Sequence, residues 1–400
     1  GGPGEVDPRP AGGEEGMRRH PVDALLLAAM RGLHALDRRE RCASAFDPER
    51  VRRILVVSST AIGDTLLSTP AIRAARERYP NAAIAALFNA KTVDLFGNNP
   101  DVDEVVPYHG GYRRFFRTVL ALRRRRFDVA FILHGNEPQA TPIAYLAGVP
   151  FIFKWPNTSK NRFLLSNDGP VRTWDDFPHG VDQRLAVAAL AGCDPKRRPM
   201  SLPLTEEGRR AADRFLREEG VGDADLLVGF QCGASTLSRM WFPDRFADLG
   251  RRLVKGRDKV RILFTGSPAE REYCGSIARR IGERTIVAAG RLPLAALPSL
   301  LARLHVLVTG DTGPMHMAVA VRTPVVGLFA VSDPSRSGPY YDLDRHVIIK
   351  KPRTCVDCVS MRCTYQKCME AIGVDEVDGA VTRVLAGGGI SSRDPSGFPR

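Results

Sequence analysis

The chain has 400 residues, 44% of them hydrophobic and 26% charged, and 58 Lys and Arg against 45 Asp and Glu give it a net charge of +13. Its length suits two domains of roughly 150–200 residues better than one core, and its composition is ordinary for a globular protein. No run of about 20 apolar residues is present, which excludes a membrane-spanning helix, and the charge favours an anionic partner: a nucleotide, a phosphorylated glycan, an anionic lipid or nucleic acid.

Residues 1–50 read as a leader and a helix. Gly1–Gly16 is rich in Gly, Pro and Glu and is expected to be disordered, with Met17 as an alternative start. Pro21–Arg39 has helical spacing, with Leu25, Leu26, Ala29, Leu33 and Leu36 near one face. Packing on the body of the protein is the simpler reading of that face, and a membrane-surface helix the sharper one. Asp23 and the lack of a small-residue cleavage site argue against a secretory signal. Eight cysteines in so long a chain without such a signal point to a reducing cytoplasm.

From Arg53 the pattern is strand and helix in alternation. Ile54-Leu55-Val56-Val57 is a continuous apolar run, as a strand buried on both faces requires. A small-residue loop, Ser58–Asp64, follows, and Thr69 with Pro70 reads as the cap and first residue of a helix ending at Pro80. Strands are expected at Ala82–Leu87, Glu104–Pro107 and Phe127–Leu133, with helices near Lys91–Phe96 and Arg113–Arg126. Arg197–Pro203 reads as a linker, and after a helix at Thr205–Glu219 the rhythm restarts. Strands are expected at Leu226–Phe230, Val260–Phe264, Val306–Thr309 and Val325–Phe329, the last closing the series. Helices are expected at Pro243–Val254, Glu270–Ile281, Leu294–Ala302 and Met315–Ala320, and a final one at Val374–Leu385. The fold class is α/β, with two doubly wound, Rossmann-like domains at 51–198 and 204–350 facing across a cleft, and a Cys-rich segment, helix and tail at 351–400. Ligands of such sheets sit beyond the carboxyl ends of the strands, which directs attention to the loops after Val57, Phe230, Phe264 and Thr309.

Gly310–His316 is the strongest of these loops. It follows an apolar strand and opens a helix, so Thr312 and Gly313 can offer backbone N–H groups to an anion. Asp311 would accept hydrogen bonds from sugar hydroxyls, and plain helix capping by Asp311 or Thr312 is the competing reading. In Gln231–Arg239, the hydroxyls of Ser235 and Thr236 and the guanidinium of Arg239 suit a diphosphate, against a merely solvated loop. Asp64, at a strand-to-helix turn, suits a general base on an acceptor hydroxyl or an N-cap. No Walker loop and no G-x-G-x-x-G fingerprint occurs.

Taken together in order and spacing over roughly residues 51–370, these segments resemble glycosyltransferase family 9, the ADP-heptose:lipopolysaccharide heptosyltransferases. The resemblance rests on Arg53–Val57, Ile62-Gly63-Asp64, Pro70-Ala71-Ile72, Ser238–Pro243, Thr265–Glu270, Gly310–His316, Thr323–Phe329 and Asp333-Pro334. It implies a GT-B fold and an inverting transfer that uses no catalytic cofactor or metal. By the same resemblance Asp64 is the base, Arg239, Ser235, Thr236, Thr312 and Gly313 hold the donor diphosphate, and Asp311 contacts the sugar. Glu270 then matches the ribose-binding position and Leu292 the cover over adenine. His316 belongs to the motif without an assigned role. Arg239 stands where the family usually has Lys, which leaves the diphosphate contact intact and the transferred sugar less defined.

The arginines at 113, 114, 117 and 123–126 form either a solvated helix face or an attraction for an anionic glycolipid acceptor or the cytoplasmic face of the inner membrane. His134 and Asn136, after the adjacent strand, are acceptor candidates. Cys355, Cys358, Cys363 and Cys368 have the spacing of a structural zinc site. Their zinc-knuckle look raises a non-catalytic nucleic-acid-binding alternative, discounted beside a complete sugar-nucleotide site. A GT-B epimerase acting on a nucleotide sugar is the other alternative. The expected partners are an ADP-sugar and an anionic glycolipid, and no nucleic acid.

Overall fold

The computed structural model describes residues 21–135, 139–156, 160–173, 176–354 and 366–387. Asn136, Cys355, Cys358, Cys363 and the expected leader lie outside these residues.

After helix α1 (Pro21–Leu36), the first sheet is built from β1 (Arg53–Ser58), β2 (Ala83–Asn89), β3 (Glu104–Tyr108), β4 (Val129–His134) and β5 (Phe151–Phe153). Its helices are α2 (Ile62–Arg78), α3 (Phe115–Arg123), α4 (Ala140–Leu146) and α5 (Gly180–Ala189). All strands are parallel, in the order β3-β2-β1-β4-β5. The apolar run of β1 explains the layers. Leu55 and Val57 face one side with Met30 of α1 and Phe115 of α3, while Ile54 and Val56 face the other with Leu66 of α2 and Val181 of α5. Successive side chains of a strand point to opposite faces, so a strand covered on both has no polar position.

α6 (Glu206–Glu218), capped by Thr205, leads into the second sheet. This contains β6 (Leu226–Gln231), β7 (Val260–Thr265), β8 (Thr285–Val287), β9 (Val306–Gly310), β10 (Val325–Phe329) and β11 (Val347–Lys350). Interleaved are α7 (Pro243–Lys255), α8 (Arg271–Ile281), α9 (Leu297–Leu301), α10 (Gly313–Ala320) and α11 (Pro334–Ser337). The strands are again parallel, in the order β8-β7-β6-β9-β10-β11. α12 (Val374–Gly387) packs Val377, Ala380 and Val381 into the same core as β6, β7 and α7. The two halves meet where α2 lies against α10, and one apolar cluster runs from Leu66 and Leu185 to Leu300 and Met315.

Three expectations are corrected. The helix assigned to start at Thr69 starts two turns earlier, at Ile62, with Pro70 inside it. Proline removes the N–H that would bond to the Leu66 carbonyl, and the Thr69 hydroxyl takes that carbonyl at 2.7 Å instead. Val325–Phe329 does not close the series, since β11 pairs beyond it. The segment near Lys91–Phe96 is only a 3-10 turn at Val93–Leu95.

In both sheets the strand order reverses at the first strand: chain order departs one way from β1 to β2 and the other way to β4, and likewise at β6. The crevice at such a switch point receives ligands. The β1–α2 and β4–α4 loops share the first crevice, and the β6–α7 and β9–α10 loops share the second.

Candidate active site

Asp64 is the third residue of α2, whose N-cap is Ala61. Its carboxylate is therefore near the positive end of the helix, and it is not the cap. Oδ1 accepts from Arg184 Nη2 at 3.1 Å and Oδ2 from the Thr60 hydroxyl at 2.9 Å. His134, at the end of β4, bonds to the same Thr60 hydroxyl through Nδ1 at 2.7 Å, and its Nε2 lies 3.6 Å from Asp64 Oδ1. A hydroxyl has one proton. With Thr60's on Asp64, His134 carries its own on Nδ1, which leaves Nε2 of the neutral ring as an acceptor near Asp64 Oδ1.

Arg184 was not among the residues singled out in the sequence. It projects from α5 with its side chain fully buried. Its Nε donates to Ser68 at 3.1 Å and its Nη1 to the Gly180 carbonyl at 2.7 Å, so the guanidinium fork is fixed on three sides. The available signal was its register. Val181, Arg184, Leu185 and Ala188 follow the helical i, i+3, i+4, i+7 spacing of a buried face, and all four are buried. A charge in that position needs a buried partner.

Burial opposes the charge on Asp64, but His134, Arg184 and the Thr60 hydrogen bond outweigh it and hold the carboxyl below its ordinary value. Burial and the Arg184 cation push His134 down to about 4, so its imidazole is neutral at pH 7. Asp64 is thus an ionised carboxylate across the working pH range, backed by a cation that cannot lose its proton.

The second crevice faces this carboxylate through His316 on α10. A Cβ on Gly63 would lie 2.6 Å from His316 Cδ2, so only glycine lets α2 approach α10 this closely. His316 is buried, and burial lowers its pKa against the nearby carboxylates of Asp311 and Asp64. Its Nε2 is 3.8 Å from Asp311 Oδ1. Asp311 is buried between His316 and Arg239, whose Nη1 is 3.7 Å from Oδ2 and donates to the Asp311 carbonyl at 3.4 Å. The loop is closely built. A Cβ on Gly310 would meet the Arg239 carbonyl oxygen at 2.4 Å, whereas at Gly313 the nearest atom is Ile62 Cβ at 3.6 Å. Thr312 is the N-cap of α10: its hydroxyl accepts from Met315 N–H at 3.4 Å and pairs with Thr309 at 2.9 Å. The capping reading therefore holds for Thr312, and the first N–H groups of a helix remain directed at the crevice.

Ser235 is exposed and Thr236 half-buried on the loop from β6 to Arg239. Glu270 closes the far side of that crevice. Its Oε2 accepts from Ser267 N–H and from the Ser267 hydroxyl, both at 2.7 Å, in a capping box. Its other oxygen crowds Gly233, where a Cβ would be 1.5 Å away. Leu292 is half-buried against the core. Cys368 is a packed thiol that meets the N–H and hydroxyl of Thr354 at 3.4 Å. The other cysteines of the cluster lie outside the described residues. Among the described residues no cluster of His, Cys, Asp and Glu has a metal-holding arrangement.

The model of glycosyltransferase family 9 (heptosyltransferase) matches residues 115–369, well over half of the chain. The chain belongs to glycosyltransferase family 9. It is 27% identical over 305 residues to lipopolysaccharide heptosyltransferase 2 of Salmonella typhimurium, covering 72% of this chain and 85% of that one. To lipopolysaccharide heptosyltransferase 1 of Pseudomonas aeruginosa it is 26% identical over 336 residues, 78% of this chain and 88% of the other. Among solved structures it is similar to a family 9 glycosyltransferase of Veillonella parvula, with a TM-score of 0.72 and 24% identity over 84% of this chain and 97% of that chain. It is also similar to the ADP-heptose lipopolysaccharide heptosyltransferase II of E. coli, at 0.68 and 23% over 84% and 99%. The fold of this family 9 chain is GT-B, and it is a glycosyltransferase. The family match favours transfer over both alternatives, the epimerase and the zinc-knuckle binding protein.

Three histidines of this family 9 chain, His179 buried and His134 and His346 half-buried, make its stability depend on pH. His134, His179 and His346 are each held down to about 4, in every case chiefly by burial. His179 Nδ1 accepts from Val181 N–H at 3.1 Å and so caps α5, the helix that carries Arg184. His346 Nδ1 accepts from Val325 N–H at 3.2 Å. The unfolded chain binds these protons near pH 6.5 and the folded one only near 4. Stability is therefore complete above about pH 6.5 and falls as pH drops towards 4. The unfolding midpoint should decline by several degrees between pH 7 and 5, and a midpoint constant over that range would contradict these assignments.

Proposed function

We propose that this chain moves heptose, or a closely related sugar, from an ADP-sugar to a lipopolysaccharide-core-like glycan, with inversion and without a catalytic metal. The observation that carries the proposal is the contact of Gly63 with His316. It holds an ionised carboxylate at one crevice against the start of α10 at the other, so base and leaving-group site share one cleft. Asp64 takes the proton of an acceptor hydroxyl, whose oxygen attacks the anomeric carbon as the bond to the diphosphate oxygen breaks. The electron pair of that bond leaves with ADP. Arg239, the N–H groups of Thr312 and Gly313, and the hydroxyls of Ser235 and Thr236 receive the charge, and they favour the transition state because charge grows there as the bond breaks.

In this reading Asp311 fixes Arg239 and contacts the donor sugar, Glu270 binds the ribose hydroxyls, and Leu292 covers the adenine. His134 and Asn136 address the acceptor. The relatives from Salmonella typhimurium and Pseudomonas aeruginosa, both lipopolysaccharide heptosyltransferases, support heptose and lipopolysaccharide as the chemistry. The similar E. coli structure, an ADP-heptose heptosyltransferase, supports ADP-heptose as donor. No helix among the described residues is long and apolar enough to cross a membrane. The proposed place of work is the cytoplasmic face of the inner membrane, held peripherally.

A thermal-shift screen tests the donor class. ADP and ADP-sugars should raise the unfolding midpoint more than UDP-, GDP- or CDP-sugars, and an equal or reversed order would sink the ADP assignment. EDTA should leave turnover unchanged, and an activity restored only by added divalent metal would contradict the metal-free mechanism.

Gly310→Ala and Gly313→Ala separate packing from binding. The first places a methyl against a backbone oxygen and should lower stability by roughly 1–3 kcal/mol. The second has room, so its unfolding midpoint should hold while ADP affinity drops about tenfold if a phosphate approaches the backbone there. Unchanged ADP affinity in Gly313→Ala would remove Gly313 from the diphosphate site.

A further inference from the structure

The outer face of α3 is a basic and apolar surface that the site described above does not use. From Arg113 to Arg126 the chain carries seven arginines and no acidic residue. The buried side of α3, with Phe115, Val119 and Leu122, fills the core beneath the first sheet. On the opposite side Phe116 is 72% and Leu120 57% exposed, one helical turn apart. Arg113, Arg117, Arg123 and Arg124 are exposed around them. Among the described residues none of these four pairs with an acidic side chain, in contrast to Arg125, which pairs with Glu104. Exposed apolar groups gain nothing from water, and an adjacent phenylalanine and leucine ringed by arginines without acidic partners match a surface that is both anionic and apolar.

Location adds to this. α3 follows β3, so its first turn lies at the carboxyl edge of the first sheet, the edge that carries Asp64. Tyr112, just before it, donates to Asp23 of α1, which ties α1 into the same outer layer. That layer covers the face of the sheet opposite to α2 and α5, and α2 is the helix that meets the second half of the molecule at α10. Docking through α3 therefore leaves the cleft between the halves open.

We infer that this face of α3 seats the protein on an anionic phospholipid bilayer, with Phe116 and Leu120 entering the headgroup boundary and the surrounding arginines neutralising lipid phosphates. An apolar pair of this size binds weakly alone, and the arginines supply the remainder at about fivefold in partition each, the equivalent of ~1 kcal/mol per residue. The α3 face thereby supplies a surface for the peripheral location proposed above. Vesicle binding is read without any sugar nucleotide, so a failure of the transfer reaction leaves the binding result standing.

The full chain is sedimented with vesicles of phosphatidylglycerol and phosphatidylethanolamine, and with vesicles of phosphatidylcholine. Binding is expected on the anionic vesicles, with little on phosphatidylcholine and a marked fall at high salt. Phe116→Glu with Leu120→Glu should reduce binding at least tenfold, and Arg117→Ala with Arg124→Ala about 25-fold. Because all four side chains are exposed, both variants should keep the parent's unfolding midpoint and its turnover on a lipid-free acceptor. Absent binding, equal binding to phosphatidylcholine, or variants that bind like the parent would overturn the inference. So would intact vesicle binding with reduced turnover on the lipid-free acceptor, which would place these arginines on the glycan.

Discussion

Asp64→Ala is expected to lower kcat by about 10²- to 10⁴-fold, the usual contribution of a positioned general base, while ADP binds nearly as before. The carboxylate is bonded to Arg184 and Thr60 of the first half of the molecule and acts on α10 only through the charge interaction with His316, whereas the proposed diphosphate site is built from Arg239 and the α10 N-terminus. Because the substitution also leaves Arg184 buried without its carboxylate, the variant should be assayed well below its unfolding midpoint. Asp64→Asn is the companion. Its single amide oxygen can still accept from Arg184, while its amide nitrogen donates to the Thr60 hydroxyl in place of accepting from it. It carries no charge, so it should keep more of the stability than Asp64→Ala and lose the same activity. If Asp64→Asn turns over within tenfold of the parent, the proton goes elsewhere, and Nε2 of His134 becomes the candidate.

Arg184→Met is expected to have the largest effect on the fold and to change the chemistry through Asp64. Removing one member of a buried ion pair costs roughly 3–5 kcal/mol, because the other charge stays behind. Asp64 keeps about a quarter of its side-chain exposure, 26%, which places the loss at the lower end of that range. The pH profile separates a positioning role from a merely structural one. In the parent, the Asp64 carboxyl is held below its ordinary value, so its acid limb in kcat/KM falls below the usual carboxylate range and the rate is flat near neutrality. Without Arg184 only His134 and the Thr60 hydrogen bond remain against the burial that opposes the charge, and the limb should move up by roughly one to three pH units. Arg184→Lys should restore much of the ionisation but little of the three-sided fixation, since an ammonium lacks the planar fork. An unmoved acid limb in a folded Arg184→Met variant would show that Arg184 only holds α5 in place.

Strands buried on both faces were legible in the sequence, because such strands have to be apolar throughout: β1, β4, β6, β7, β9 and β10 are all of this kind. The loops that follow them were legible for a related reason, since small and polar residues right after an apolar run mark a carboxyl edge. Short elements were not. Phe151–Phe153 and Thr285–Val287 form strands of three residues, too few to show a period, and depend on pairing with β4 and β7. α5 was hidden as well, and with it Arg184, whose importance lies in reaching Asp64 across 120 positions of chain. Thr69 and Pro70 misled locally. A proline after a threonine marks a helix start in most settings, but here a side-chain hydroxyl repairs the bond that the proline removes. His316 was visible as part of a motif, and only the close approach of Gly63 explains what it touches.

The central claim is acceptor-dependent transfer from an ADP-sugar. Its most direct measurement is turnover of ADP-heptose with a heptose-deficient core glycan, following ADP release and assigning the anomeric configuration of the product by NMR. The proposed mechanism predicts that ADP appears only when acceptor is present, and that the new glycosidic bond has the opposite configuration to the donor. Consumption of the donor without acceptor, or retention of configuration in the product, would contradict it.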